Sequence, residues 1–337
     1  MRIMKHKSSI LFAMLAILTI VLFVMDMLVG SVHIPLKDIW RVFIGDDVPQ
    51  TTRLIIYDIR LIKAIVAIAT GVALSVSGLQ MQTLFRNPLA GPYVLGISSG
   101  ASLGVAIFIL GMPLLGITNN GVISAIGTAG AAWAGSALIL IFIAAVSSRI
   151  KDIMVILILG MMLSSGVSAV VQILQYMSNE EALKSFVIRT MGSLGDVTAG
   201  QLKLLLPAVI AGIVLSVITI KPLNLLLLGE QYARTMGLNI RRSRCLVFLS
   251  TTLLAGTVTA FCGPIGFIGL AIPHIARILF RSADHRILLP ASALCGAVIL
   301  LFCDIISKLL TLPINTITAL LGIPIVIWVV IRNKSIV

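Results

Sequence analysis

Residues 64–85 read AIVAIATGVALSVSGLQMQTLF, twenty-two in a row without Asp, Glu, Lys or Arg. A helix needs about 20 mostly apolar residues to cross a bilayer core of ~30 Å. Arg86 alone separates this stretch from residues 87–148, which carry no charge over 62 positions. That is too long for one crossing, and Gly111–Gly121 (GMPLLGITNNG) supplies a turn inside it. Working outward, further charge-free stretches cover 8–25, 153–179, 204–220, 245–276, 287–303 and 309–331. The sixth of the eight, 245–276, is divided by Gly263-Pro264-Ile265-Gly266. Eight stretches thus become ten predicted spans: 8–29, 58–80, 92–110, 121–146, 153–176, 203–220, 245–263, 267–280, 287–307 and 314–331. The eighth is short, and a short helix at membrane depth is tolerated only when other helices bury it.

Composition agrees. Of 337 residues, 59% are apolar and 11% charged, with mean hydropathy +1.13, whereas a soluble domain carries about 25% charge. The expected fold class is an all-α polytopic membrane protein, in one domain over 1–337, because no long linker or biased segment divides the chain. The first apolar stretch is too long for a secretory leader and lacks a small-residue cleavage site, so it counts as a span. Cys245, Cys262, Cys295 and Cys303 all sit in apolar spans and read as small buried hydrophobes, with no paired C-x-x-C. His6, His33, His274 and His285 are scattered without metal-ligand spacing, and no metal or cofactor is expected in this chain.

The net charge of +13 lies in short loops between spans rather than in a nucleic-acid-binding face. Ten spans with the N-terminus inside place 16 of the 25 Lys and Arg residues in the cytoplasm, with both termini. Two loops stand out by length. Val29–Tyr57 is expected outside, with Pro35–Trp40 forming a short interfacial helix. Residues 221–244 (KPLNLLLLGEQYARTMGLNIRRSR) are expected inside, as two short helices offering an apolar face to a partner. Gly100 and Gly104, with Gly127, Ala131 and Gly135, have the spacing of close helix contacts in lipid.

The chemical motifs are few. Gly96-Ile97-Ser98-Ser99-Gly100 matches the G-x-S-x-G pattern but opens a membrane helix, without the strand–turn–helix elbow and histidine–acid pair that a nucleophile needs. No Gly-Lys dipeptide exists, so there is no phosphate loop, and any ATP must be bound by another chain. Asp26 and Asp304 fall at or inside spans, where isolated charge costs several kcal/mol. Asp304 and Lys308 share a helix face and read as a neutralising pair.

From Arg60 to Gly104 and beyond, the sequence resembles the FecCD-type permeases, which serve importers of ferric siderophores, haem and cobalamin. The resemblance runs through Arg86–Ala101, Met191–Leu194, Leu228–Leu238, Gly263–Arg277, Asp284–Pro290 and Leu312–Pro324, in order. It implies a ten-helix permease of the type II ABC importer fold in the bacterial inner membrane, one of two copies around a central pathway. The implied partners are a second permease, two ATPase subunits and a substrate-binding protein. The implied function is import of a metal chelate, a ferric siderophore first and haem or cobalamin next. The chain itself would translocate and not hydrolyse ATP. A secondary carrier or channel without an ATPase is the alternative; it would place ionisable groups near mid-membrane in several helices, and few exist here.

The resemblance also assigns residues. Arg60, Lys63 and Lys308 would dock the binding protein. Gly229, Glu230, Ala233, Gly237 and Leu238 would form the ATPase coupling element, with Asn87, Pro88 and Leu89 at a cytoplasmic gate. Arg189 stands where the family often has tryptophan, and could meet an anionic chelate. The family's R-L-P-R is Arg60-Leu61-Ile62-Lys63 here, without the proline.

Overall fold

A computed structural model describes residues 2–30, 32, 34–44, 48–111, 121–150 and 152–332, and among them every regular element is helical. In chain order these are α1 (Arg2–Leu28), α2 (Leu36–Ile44), α3 (Gln50–Leu84), α4 (Ile97–Gly111), α5 (Gly121–Arg149), α6 (Ile153–Met177) and α7 (Glu180–Thr190). There follow α8 (Ala199–Ile218), α9 (Ile220–Leu226), α10 (Glu230–Thr235), α11 (Ile240–Cys262), α12 (Ile268–Phe280), α13 (His285–Leu310) and α14 (Ile314–Arg332). Seven are long and apolar enough to cross a membrane, and α4, α12 and α14 are shorter apolar helices. Together these ten coincide with the ten predicted spans. The turn expected within 111–121 falls largely on 112–120, outside the described residues.

Several boundaries differ from expectation by four residues or more, and two of them have a clear cause. α3 starts at Gln50 rather than near 58 and, at 35 residues, would be about 52 Å long. That exceeds the bilayer core, so its first turns continue past the lipid, where Thr51, Thr52 and Arg53 meet water and a hydropathy count loses the helix. α4 starts at Ile97 rather than 92, because Pro88, Gly91 and Pro92 take the preceding segment out of helix. Gly96, at φ +78°, makes the final turn; a Cβ there would lie 2.8 Å from Ser164 Oγ.

α3 is the axis of the bundle. Between Ala64 and Leu84 nearly every side chain is buried, against α8, α11, α12 and α13. Small residues let the backbones meet: a Cβ on Gly71 would come within 2.2 Å of Gly296 O on α13, and one on Gly78 within 1.8 Å of Gly269 O on α12. The expected glycine spacing pairs α4 with α5, since Gly104 abuts Ala131 O and Gly100 abuts Gly135 O. Outer helices invert the soluble pattern. Met14, Ile17 and Ile20 on α1, and Met162 and Ile173 on α6, are exposed where lipid would cover them.

α12 is the short eighth span, and it is buried along most of its length, as its 13 residues require. Loop-borne side chains set where helices begin. Asp152, Asn179, Asn239 and Asp284 each accept an N–H in the first turn, and Thr198 with Gln201 closes a full capping box on α8.

Candidate functional site

Charge and polarity concentrate at the two ends of α3. At one end, expected outside by the charge rule, two acidic and two basic side chains meet among helices remote in sequence. Lys308 Nζ on α13 lies 2.8 Å from Asp26 Oδ1 on α1 and 3.0 Å from Asp304 Oδ2. Lys63 Nζ on α3 lies 3.1 Å from Asp304 Oδ1. Both carboxylates are buried, so the two lysines neutralise them where neither could stand alone. The Asp304–Lys308 pair expected from their spacing is present. Asp26 is its third member, 282 residues from Lys308 and beyond any spacing rule.

This arrangement corrects the docking assignment. Arg60 is buried, and its guanidinium donates to Met27 O at 2.7 Å, to Leu28 O at 3.0 Å and to Val32 O. It caps the loose carbonyls at the end of α1 rather than facing outward. Lys308 is equally enclosed, and of the three only Lys63 keeps a partly exposed head. The exposed basic residues at that end are instead Lys37, Arg53, Lys184 and Lys203. Arg53 lines a cavity of about 510 Å³ with Gln50, Tyr57 and Asp58.

Arg189 is also committed within the chain. It donates to Ala260 O on α11 at 2.5 Å, tying α7 to the end of that helix. The void beside it, about 10 Å³, barely reaches the size of one water and cannot admit a chelate. Neither Glu180 nor Glu181 is its partner; the charge is spent on a carbonyl. The expected substrate contact is therefore replaced by a packing role in this conformation.

At the opposite end, residues 221–238 form the two expected short helices, α9 and α10, joined through Gly229 at φ +104°. Their faces differ from expectation. Ala233 is fully buried among Leu223, Leu226 and Phe248. Glu230 is held by Arg244 at 2.5 Å, and Leu238 is half-buried. The surface is carried by Leu228, Tyr232 and Met236, all more than half exposed, with Gly237 beside them. Leu228, Tyr232, Arg86 and Ile153 edge a cleft of about 570 Å³. Gly229, Glu230 and Ala233 thus shape the element, and neighbouring apolar side chains offer the contact.

The loop after α3 runs beside this cleft. Asn87 Oδ1 accepts the Leu89 N–H at 2.9 Å, which holds a tight turn, and Pro88 O meets His274 Nε2 of α12 at 2.9 Å. Leu89 is about half exposed, projecting from the chain. Directly above, the last turns of α3 carry buried polar side chains. Gln80 donates to Thr219 Oγ1 at 3.0 Å and accepts from Ser250 at 3.1 Å. Gln82 donates to Leu270 O at 3.0 Å and accepts from Arg277 at 2.6 Å. Thr83 Oγ1 lies 2.8 Å from His285 Nε2, and His285 Nδ1 lies 2.7 Å from Asn224 Oδ1. Asn224 in turn donates to Asp284 Oδ1 at 2.7 Å.

Of these collar residues, Gln80, Gln82 and Thr83 are not singled out by the sequence analysis. The signal existed: Gln80-Met81-Gln82-Thr83 puts three polar side chains in four positions at the end of a span. A search for charge passes over neutral amides, although each needs a partner as strictly when buried.

Comparisons with known proteins bear on the whole chain. The FecCD transport family matches residues 18–332. The ABC transporter permease protein YvrB of Bacillus subtilis is 35% identical over 319 residues, covering 90% of this chain and 88% of that one. The hemin transport system permease protein HmuU of Yersinia pestis is 33% identical, covering 98% and 97%. The vitamin B12 import system permease protein BtuC of Klebsiella pneumoniae is 37% identical, covering 86% of each. A solved structure, assigned to a metal-chelate type ABC transporter in an inward-facing conformation, superposes with a TM-score of 0.84 at 28% identity, over 96% of this chain and 99% of that one.

Proposed function

This chain belongs to the FecCD transport family, and on that premise we propose that it is the membrane-spanning subunit of an ATP-driven importer of metal chelates. The observation that carries the reading is the match over 18–332, nearly the whole chain, reinforced by relatives whose names record hemin and vitamin B12 transport. Among candidate cargoes a ferric siderophore stands first, then haem and cobalamin. The chain would work as one of a pair, in the bacterial inner membrane with both termini in the cytoplasm. Two ATPase subunits would seat on the apolar face of Leu228, Tyr232 and Met236. Leu89 of each copy would narrow the pathway at the cytoplasmic end. A binding protein would dock outside through exposed charge such as Lys37 and Arg53, with the partly exposed head of Lys63 beside them, while Arg60 and Lys308 hold the platform from within.

The absence of a phosphate loop supports a separate ATPase, and among the described residues the buried carboxylates, Asp26 and Asp304, are paired at one end rather than strung across the membrane as in a proton relay. The test is uptake by cells lacking the gene, with and without the restored chain, of haemin, cyanocobalamin and a ferric siderophore. Restoration of ATP-dependent uptake of one of them is expected. Equal uptake of all three with and without the chain would overturn the proposal, and uptake that survives depletion of ATP would favour a carrier.

A further inference from the structure

The collar at the inner end of α3 contains one continuous chain of hydrogen bonds from the short-helix segment to the exposed loop. Asn224, on α9, has its orientation fixed by its neighbours. Its Oδ1 accepts from the His285 backbone N–H at 2.9 Å, so its amide nitrogen must face Asp284. An oxygen at that position can only accept, and the 2.7 Å contact therefore puts a proton on His285 Nδ1. For the neutral ring, Nε2 is then an acceptor, and the Thr83 hydroxyl is its donor at 2.8 Å. That hydroxyl has a second acceptor, Leu79 O of its own helix, at 3.0 Å. Thr83 thus sits between two alternatives of similar length, one local and one reaching to α13 and α9. The loop begins on the same residue, since the Arg86 N–H donates to Thr83 O at 3.2 Å and the Asn87 N–H to Gln82 O at 3.2 Å.

We propose that the Asn224–His285–Thr83 chain links movement of the 220–238 segment to the 86–89 loop, with Thr83 and His285 as positioning residues for opening the pathway. This rests on the reading of that segment as the ATPase contact. The physical case is one of stiffness and reversibility. Apolar contacts between α9 and α3 resist compression but not sliding, whereas hydrogen bonds at both ends of an imidazole fix direction. Each bond contributes only about 1 kcal/mol net, so the link can switch partners within one transport cycle. His274 on Pro88 O holds the far side of the loop to α12, so that a shift of Thr83 changes the angle of the turn at Leu89.

The test uses the whole importer in lipid, with its ATPase subunits and no chelate added. Leu89→Cys, in a Cys245→Ser background because Cys245 is the exposed cysteine, reports the loop through its reaction rate with a water-soluble maleimide. With Thr83 in place, ATP should change that rate. Thr83→Val keeps the shape and removes the hydroxyl. It should keep ATP hydrolysis within about twofold while shrinking the nucleotide response about fivefold, the equivalent of one lost hydrogen bond. Thr83→Ser should restore the response, and His285→Gln, breaking the same chain at its centre, should behave like the valine variant. A full response in both Thr83→Val and His285→Gln would overturn the link. So would hydrolysis and response falling together without rescue by serine, because that is general damage. If the unaltered complex binds no ATPase or shows no response to ATP, the importer reading itself fails and takes this inference with it.

Discussion

The two ends of α3 are buried by opposite means. At Arg60 and Lys63 the helix is fixed by ionised groups: lysines on carboxylates, and a guanidinium on the carbonyls that end α1. At Gln80, Gln82 and Thr83 it is fixed mainly by neutral amides and hydroxyls. The energetics of the two kinds differ. Separating a buried ion pair leaves an uncompensated charge, so such a contact is nearly all-or-none. Neutral hydrogen bonds can be exchanged for one another at small net cost. One end is therefore built as a clamp and the other as a joint, which suits the movement proposed above for the 86–89 loop.

The largest expected effect comes from breaking the clamp. Asp304→Leu would leave Lys63 without its carboxylate and Lys308 with only one of two, at a cost of about 3–5 kcal/mol. Folded yield and thermal midpoint in detergent should both drop sharply. Neutralising Lys63 along with it, as in Asp304→Leu with Lys63→Met, should recover part of the loss. A single variant as stable as the unaltered protein would show that the cluster is hydrated and not a clamp.

A change at the joint should cost less. Gln80→Leu keeps approximate volume but strands the hydroxyls of Thr219, Ser250 and Thr251, which share its amide. Two of them have other partners, because Thr219 donates to Ser216 O and Ser250 to Gly212 O. The expected loss is about 1–3 kcal/mol, the price of buried groups only partly re-satisfied. The same thermal measurement ranks it against Asp304→Leu. A larger loss at Gln80 would reverse the contrast between the ends.

How much of this was legible in the sequence follows from what each rule counts. Residues 64–85 revealed a span because lipid demands unbroken apolarity, and the same demand located the other nine. Gly100 and Gly104 revealed a close helix contact because backbone proximity in lipid needs small residues at fixed spacing. Residues 221–238 are visible as two short helices from their leucine run and glycines. The faces of these helices are not, because whether Ala233 or Tyr232 meets a partner depends on the core that takes in Ala233, which joins Leu223 of the segment itself to Phe248 of α11. The position of Lys308 near the end of a span follows from the sequence, but its inward direction does not. Its second carboxylate, Asp26, lies at the other end of the chain, and charge near water was read as charge facing water. Glutamines in the last turns of α3 escape because a search for charge-free stretches passes over neutral amides.

The smallest expected effect tests whether the joint also depends on an ionised group. Asp284 begins α13, accepting the Arg286 N–H at 2.9 Å and the Asn224 amide. These hydrogen bonds, the backbone one foremost, favour its charged form and hold its carboxyl below the usual carboxylate range, against a smaller opposing effect of burial. A depressed folded-state value stabilises the fold above the unfolded value near 4 and loses that contribution as pH falls through the folded value. Asp284→Asn keeps an acceptor at the cap and removes only the charge beside the helix N-terminus, so the loss should be about 0.3–1 kcal/mol at neutral pH. The difference in thermal midpoint between the two proteins should stay constant from pH 8 down to about 5 and narrow below about 4, where the native aspartate also becomes neutral. Asp284→Ala, which removes the acceptor as well, should cost about 1 kcal/mol and keep most of its deficit in acid. A gap between the Asp and Asn proteins that persisted unchanged into acid would mean that Asn224 and Arg286 need the shape of the aspartate rather than its charge, and the joint would then be neutral throughout.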